Sequence, residues 1–264
     1  MSDTLNVLLL SILQGVAEFL PISSSGHLVL GKHLLGLESP GVRLEVALHV
    51  GTLFSVMAFY RERIIALVKG VFAGCRESWR MVINIVVSAV PAVIFYLLFR
   101  KAIEGTFEST GFVGGALVFT GVVLCAVRWF SGKGKDGVVT LPRAVAVGIA
   151  QAVAVLPGVS RSGMTISMAR VMGVAPEKAA EFSFLMSLPL IAGAAMMDFL
   201  HSLKETEAAQ AGVSFGLLAM GAVVAGVIGY FALTLLVRLL RGHHFWMFGI
   251  YCLVAGILTL VFLR

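Results

Sequence analysis

The chain has 264 residues, 59% hydrophobic and 13% charged, with 29 glycines and a net charge of +6. Globular domains run nearer about 45–50% apolar and about 25% charged, so these proportions exclude an ordinary soluble fold and indicate a polytopic α-helical membrane protein. The positive charge does not mark a nucleic-acid binder, because the lysines and arginines sit in short segments between apolar runs, as topology signals do.

In chain order, the first apolar region spans 4–37 and is interrupted at "PISSSG" (21–26). Spans are expected at about 43–60, 82–100 and 111–130. A second interrupted region covers 141–175, broken at "PGVSRSG" (157–163), and further spans are expected at about 178–199, 213–237 and 245–263. Each half of an interrupted region is only about 15 residues, short of the roughly 20 that a crossing needs. Irregular backbone at membrane depth requires protein or a water-filled cavity around it, so two re-entrant helix-loop-helix hairpins are expected rather than four short spans. No cleavable signal peptide is expected, since no basic segment precedes the first apolar run. Cys75, Cys125 and Cys252 show no metal-type spacing and read as unpaired thiols.

The two interruptions are alike. Aligned without gaps, "QGVAEFLPISSSG" (14–26) and "QAVAVLPGVSRSG" (151–163) share Gln14/Gln151, Val16/Val153, Ala17/Ala154, Ser23/Ser160, Ser25/Ser162 and Gly26/Gly163. "EVALHVGTL" from Glu45 and "EFSFLMSLP" from Glu181 follow them. This is an internal repeat, with halves at about 1–130 and 141–264 in a single membrane domain. A hairpin plus three spans is an odd number of crossings, so the second half starts on the opposite side of the membrane. The expected architecture is therefore an inverted-topology repeat of six transmembrane helices and two hairpins meeting near the midplane. Lysine and arginine are denser in 61–81, 128–143, 170–178 and 238–244 than on the other side, which places those segments in the cytoplasm. Both termini and the mouth of the first hairpin then face outward.

Charged groups at membrane depth are functional candidates by default. Glu18 follows Gln14 by four residues, on the same helix face. His27 follows the serine turn, and Arg161 lies between Ser160 and Ser162 in the opposing break. Meeting loops would gather a carboxylate, an imidazole, a guanidinium and several hydroxyls. Serine-rich loops that open helices present free backbone N–H groups to an anion, and arginine suits phosphate. The combination points to a phosphate or diphosphate site near lipid, with Glu18 able to hold a divalent cation. A structural ion pair between Glu18 and Arg161 is the competing reading. Ser23 and Ser162 serve equally well as helix caps, Gln14 as a packing hydrogen bond, and Glu45 and His49 read as structural. His243 and His244 read as an interfacial loop feature. "GKGKDG" (132–137) fits a dinucleotide pattern but has no strand before it, and "GVSRS" (158–162) lacks the second glycine of a nucleophile elbow.

"QGVAEFLPISSSGH" and "LPGVSRSGMTI" resemble the two signatures of the undecaprenyl-diphosphate phosphatases, the bacitracin-resistance family, and the likeness runs in order through nearly the whole chain. The resemblance implies a bacterial enzyme of the cytoplasmic (inner) membrane. Such an enzyme hydrolyses C55 polyprenyl diphosphate to the monophosphate, recycles the lipid carrier for peptidoglycan synthesis and confers bacitracin resistance. It implies dependence on Mg²⁺ or Ca²⁺, with Glu18 as the metal-binding carboxylate. Its catalytic residues fall on Glu18, Ser24, His27 and Arg161. Gln14, Ser23, Ser25, Gly26, Ser160, Ser162 and Gly163 stand around them as the substrate-binding set. Gln14 occupies a position where the family pattern also takes an acid. Ser24 is the preferred nucleophile, with His27 or a water as the alternatives. The expected partners are the lipid diphosphate and membrane lipids, with no nucleic acid; a homodimer is compatible with the reading. The rival reading is a transporter or flippase of a phosphorylated lipid or anion.

Overall fold

The computed structural model describes residues 3–35, 42–130, 138–202, 214–242 and 244–263. Among these are eleven helices and no β-strand: α1 (Asp3–Phe19), α2 (Ser24–Leu35), α3 (Val42–Phe59), α4 (Arg61–Phe72), α5 (Arg76–Thr106), α6 (Thr110–Phe130), α7 (Leu141–Val153), α8 (Arg161–Val171), α9 (Pro176–Ser202), α10 (Phe215–Arg241) and α11 (Met247–Phe262). Three stretches are long and apolar enough to cross a bilayer, namely Arg76–Thr106, Thr110–Trp129 and Phe215–Arg241. Large apolar side chains stay exposed along these helices and α11, among them Leu97, Val122, Val223, Phe231 and Ile257. Such a surface suits hydrocarbon, and the chain is an all-α integral membrane protein.

Both interruptions fall where the chain chemistry stops a helix. α1 ends before Pro21, which has no N–H for a continuing ladder and pushes its predecessor out of helical geometry. α7 ends ahead of Pro157 and Gly158, the latter at φ +91°. The new helices then start on serine caps. Ser160 Oγ accepts from the Gly163 N–H at 3.1 Å, and Ser23 Oγ accepts from the Gly26 N–H at 3.3 Å. The second break is longer than the first, because α7 stops at Val153 while α1 continues to Phe19.

Packing crosses between the halves of the chain. α1 lies along α10, α7 along α5, α3 against α9 and α10, and α6 against α11. The α6–α11 seam is close enough to require glycine. A Cβ on Gly121 would sit 2.8 Å from the Gly249 carbonyl oxygen, and one on Gly249 would sit 2.8 Å from that of Gly121. Small residues allow such backbone approach where water supplies no driving force. The centre of the molecule is the first half of α9, where Phe182, Phe184 and Met186 are fully buried. A helix enclosed on all sides needs its polar groups satisfied. Thr165 and Ser183 accordingly share a hydroxyl hydrogen bond of 2.6 Å, and Arg63 donates to Glu181 at 2.6 Å.

The helices differ from the expected spans chiefly around residues 61–81. That segment reads as a connecting loop in sequence, but it contains α4 and the start of α5. α4 has no buried residues. Its charged groups Arg61, Glu62, Arg63 and Lys69 dilute the hydropathy of an amphipathic turn pattern, which is why a search for apolar runs passes over it. α5 begins at Arg76 rather than near 82, and it is kinked at Phe99 (φ −116°, ψ 15°), next to the expected end near 100, before a further helical piece runs to Thr106. The piece before the kink, 76–98, is about 34 Å long, enough to cross a roughly 30 Å hydrocarbon core. Positions 36–37, 213 and 264 of the expected segments, the "GKGKDG" loop, His243 and Lys204 lie outside the described residues.

Candidate active site

The two breaks touch. Glu18 is 6% exposed near the end of α1, and Arg161 opens α8; an Arg161 Nη2–H donates to Glu18 Oε1. Glu18 Oε2 accepts from Ser24 Oγ at 2.7 Å and from Gln14 Nε2 at 3.0 Å. The same helix face brings Gln14 onto Glu18, four residues apart. Ser24 arrives because the chain reverses over the break and starts α2 beside the end of α1. A single carboxylate thus collects a guanidinium, a hydroxyl and an amide drawn from three helices.

The remaining serines and glycines shape this meeting point. Ser23 and Ser160 are the caps described above, and each has its neighbour two residues on within 3.4 Å, Ser25 and Ser162 respectively. Ser23 holds its cap at φ +70°, a left-handed conformation costly for a residue with a Cβ. Gly26 is required by proximity, since a Cβ there would lie 2.8 Å from the Gly158 Cα in the opposite break. A Cβ on Gly163 would approach Ser160 to 3.0 Å and Pro21 to 3.4 Å. Thr120 of α6 fastens the second break, donating to the Gly158 carbonyl at 3.0 Å and accepting from the Ser160 N–H at 3.2 Å.

His27 stands apart from the Glu18 cluster. Its Nδ1 lies 2.9 Å from the Ser23 carbonyl oxygen, which only accepts, so Nδ1 carries the proton. Nε2 lies within hydrogen-bond distance of the Tyr251 hydroxyl of α11, at 2.8 Å, and the two rings stack. Both ring nitrogens are therefore engaged away from Ser24. Tyr251 was not among the sequence candidates, because it lies in an unbroken apolar run with nothing to single it out. His49, expected to be structural, is a second addition. Its Nδ1 bonds to the Glu45 carbonyl oxygen at 2.8 Å, and its Nε2 lies 3.8 Å from Glu18 Oε2. Its side chain is 34% exposed and Glu45 pairs with Lys32, so these three groups form a polar rim beside the buried carboxylate.

Two buried polar atoms have no partner at this point: Arg161 Nη1 and Gln14 Oε1. An unmet donor or acceptor in the interior costs about 1–3 kcal/mol, so each calls for something that binds there. The guanidinium nitrogen suits an anionic oxygen. α2 and α8 both begin here, and their free N–H groups and dipoles favour negative charge. The Gln14 oxygen beside the Glu18 carboxylate offers hard oxygen ligands of the kind that Mg²⁺ and Ca²⁺ take. No group of three or more His, Cys, Asp or Glu side chains suited to a metal occurs among the described residues. A cation here would accordingly draw most of its ligands from water and phosphate. The arrangement can hold a phosphate, present a hydroxyl to it and receive that hydroxyl's proton.

Comparison with known proteins gives the family of the chain. The family described as bacitracin resistance protein BacA matches residues 7–258. An undecaprenyl-diphosphatase of Salinibacter ruber is 40% identical, covering 94% of this chain and 95% of the relative. Proteins of the same name from Desulfatibacillum aliphaticivorans (37% identical, 97% and 98% covered) and Methanosphaera stadtmanae (36% identical, 99% and 98% covered) are similar over nearly their full lengths. Identity at this level over whole chains, with a family match that includes both breaks, places the chain in the BacA family of bacitracin resistance proteins.

Proposed function

We propose that this chain hydrolyses undecaprenyl diphosphate to undecaprenyl phosphate and inorganic phosphate. The reaction returns the lipid carrier to peptidoglycan synthesis and lowers sensitivity to bacitracin. The observation that carries the reading is the buried, unpartnered Arg161 Nη1 beside a serine hydroxyl held on a carboxylate. A structural ion pair alone would leave that nitrogen without a use. The names of the relatives do not favour the transporter alternative, which would move lipid without releasing phosphate.

In the proposed reaction Arg161 and the backbone amides opening α2 and α8 hold the terminal phosphate. Stabilising charge on the transferring group is the main contribution a protein makes to phosphoryl transfer. Ser24 Oγ attacks the terminal phosphorus as Glu18 Oε2 takes its proton across the 2.7 Å hydrogen bond. The bond from phosphorus to the bridging oxygen breaks, and the lipid monophosphate leaves with the electron pair. A water then cleaves the phosphoserine, releasing inorganic phosphate and restoring Ser24. His27, fixed by Ser23 and Tyr251, orients the first turn of α2. Glu18 and Gln14 Oε1 would hold Mg²⁺ or Ca²⁺, which supplies Lewis-acid neutralisation of phosphate charge when bound. The enzyme sits in the cytoplasmic membrane as an inverted repeat, with the first break reached from the outer side.

Phosphate release from C55 diphosphate by the purified protein in detergent tests the reading. Arg161→Ala and Glu18→Ala are each expected to lose at least about 100-fold in kcat, the scale of a missing charge stabiliser. Full activity in both would remove the site assignment. A chelator is expected to stop turnover and added Mg²⁺ to restore it; turnover in chelator would remove the cation.

A further inference from the structure

We propose that a groove on the membrane-facing side of α6 is the subsite for the isoprenoid tail of the lipid diphosphate, a reading that rests on the function proposed above. The groove has a volume of about 430 Å³ and runs between the first half of α6 and the second break. Gly111, Gly115 and Phe119 form one wall, and Val153, Leu156 and Val159 form the other. Its lining residues are all apolar or glycine, and the volume lies in the range of ligand pockets.

Three observations assign the occupant. The first is continuity with the site. Val159 is two residues before Arg161, so their Cα atoms are no more than about 7 Å apart. Thr120 and the close approach of Gly158 to α6 hold groove and break as one unit. The groove wall and the arginine thus belong to one short stretch of backbone, and a tail leaving a phosphate on Arg161 has this apolar wall within reach. The second is the contrast between the glycines of α6. Gly114 and Gly121 are pressed against α11, whereas a Cβ on Gly115 would meet nothing within 4 Å. Packing within the chain does not explain glycine at 115, and glycine weakens a helix interior. What its missing side chain does is keep the groove open. The third is chemistry: every lining residue that carries a side chain is a hydrocarbon, as an isoprenoid chain requires.

The test is Gly115→Leu, with Gly111→Leu one turn away as a second variant and Val122→Leu, exposed on the same helix outside the groove, as control. Leucine at 115 projects into open space and is a better helix former, so thermal unfolding in detergent should not fall. Filling the groove displaces one or two buried isoprene units. It is expected to lower kcat/KM for C55 diphosphate about tenfold or more, mainly through KM. Inorganic diphosphate, which has no tail, should raise the unfolding temperature of the variants as much as that of the wild type. Unchanged kcat/KM for C55 diphosphate in both variants overturns the proposal. Loss of the inorganic diphosphate response also overturns it, because the substitution then acts on the phosphate site. A change of oligomeric size would assign the groove to a second copy of the chain instead. A wild type that releases no phosphate removes the functional reading, and this inference with it.

Discussion

Glu18 spends both carboxylate oxygens on partners from other parts of the chain, and the residues around it differ in how visible they are in sequence. Glu18, Ser24 and Arg161 stand out because charge and clustered hydroxyls are rare in apolar segments. Gln14 follows from helix periodicity. Tyr251 approaches His27 across 224 residues of sequence, and His49 lies within the largely apolar helix α3. Only the assembled bundle shows that either faces the site. Tyr251 is a useful probe, since Tyr251→Phe keeps the stacked ring and removes only the hydroxyl that bonds His27. The expected result is about a fivefold loss of kcat, corresponding to one hydrogen bond of about 1 kcal/mol, with KM little changed in steady-state phosphate release. An unaltered kcat would show that His27 is oriented by Ser23 alone.

The helices were legible wherever a long apolar run lay between charged segments, and both breaks were legible from proline, glycine and serine. α4 was not, because a short amphipathic helix carries too many charges to register as an apolar run, and the true length of α5 was hidden by its polar first turns. Pairing between helices was also hidden, since it depends on which glycines face a partner. α6 carries Gly111, Gly114, Gly115 and Gly121, and only the structure shows that Gly114 and Gly121 abut α11 while Gly115 faces open space. Gly249→Val should therefore force α11 away from α6. A loss of about 1–3 kcal/mol is expected from overpacking, seen as a lower unfolding temperature in detergent. The same substitution should lower kcat beyond the unfolded fraction, because Tyr251, two residues along α11, moves with the helix and loosens its contact with His27. A variant as stable as the wild type would mean that the seam is looser than the backbone distances indicate.

For the molecule as a whole, the site lies where two halves of one chain meet, so anything that binds there should hold the halves together. Inorganic diphosphate at 100 times its dissociation constant should stabilise the fold by about 2.7 kcal/mol, measured as a rise in unfolding temperature. Arg161→Ala should abolish that rise; its persistence would place the anion elsewhere. The pairing of Glu18 with Arg161 has a consequence for turnover. In the proposed reaction, phosphate must displace a carboxylate that belongs to the protein before it can take the guanidinium fully. Glu18 is thus a tethered competitor of its own substrate, and the same carboxylate is waiting to reclaim Arg161 when phosphate is ready to leave. A site without that competitor would grip anions harder and let them go more slowly. Glu18→Gln should accordingly bind inorganic phosphate more tightly than the wild type while hydrolysing lipid diphosphate far more slowly. Weak retention of product by the wild type, the expected counterpart, would then come from the resting ion pair rather than from any moving part.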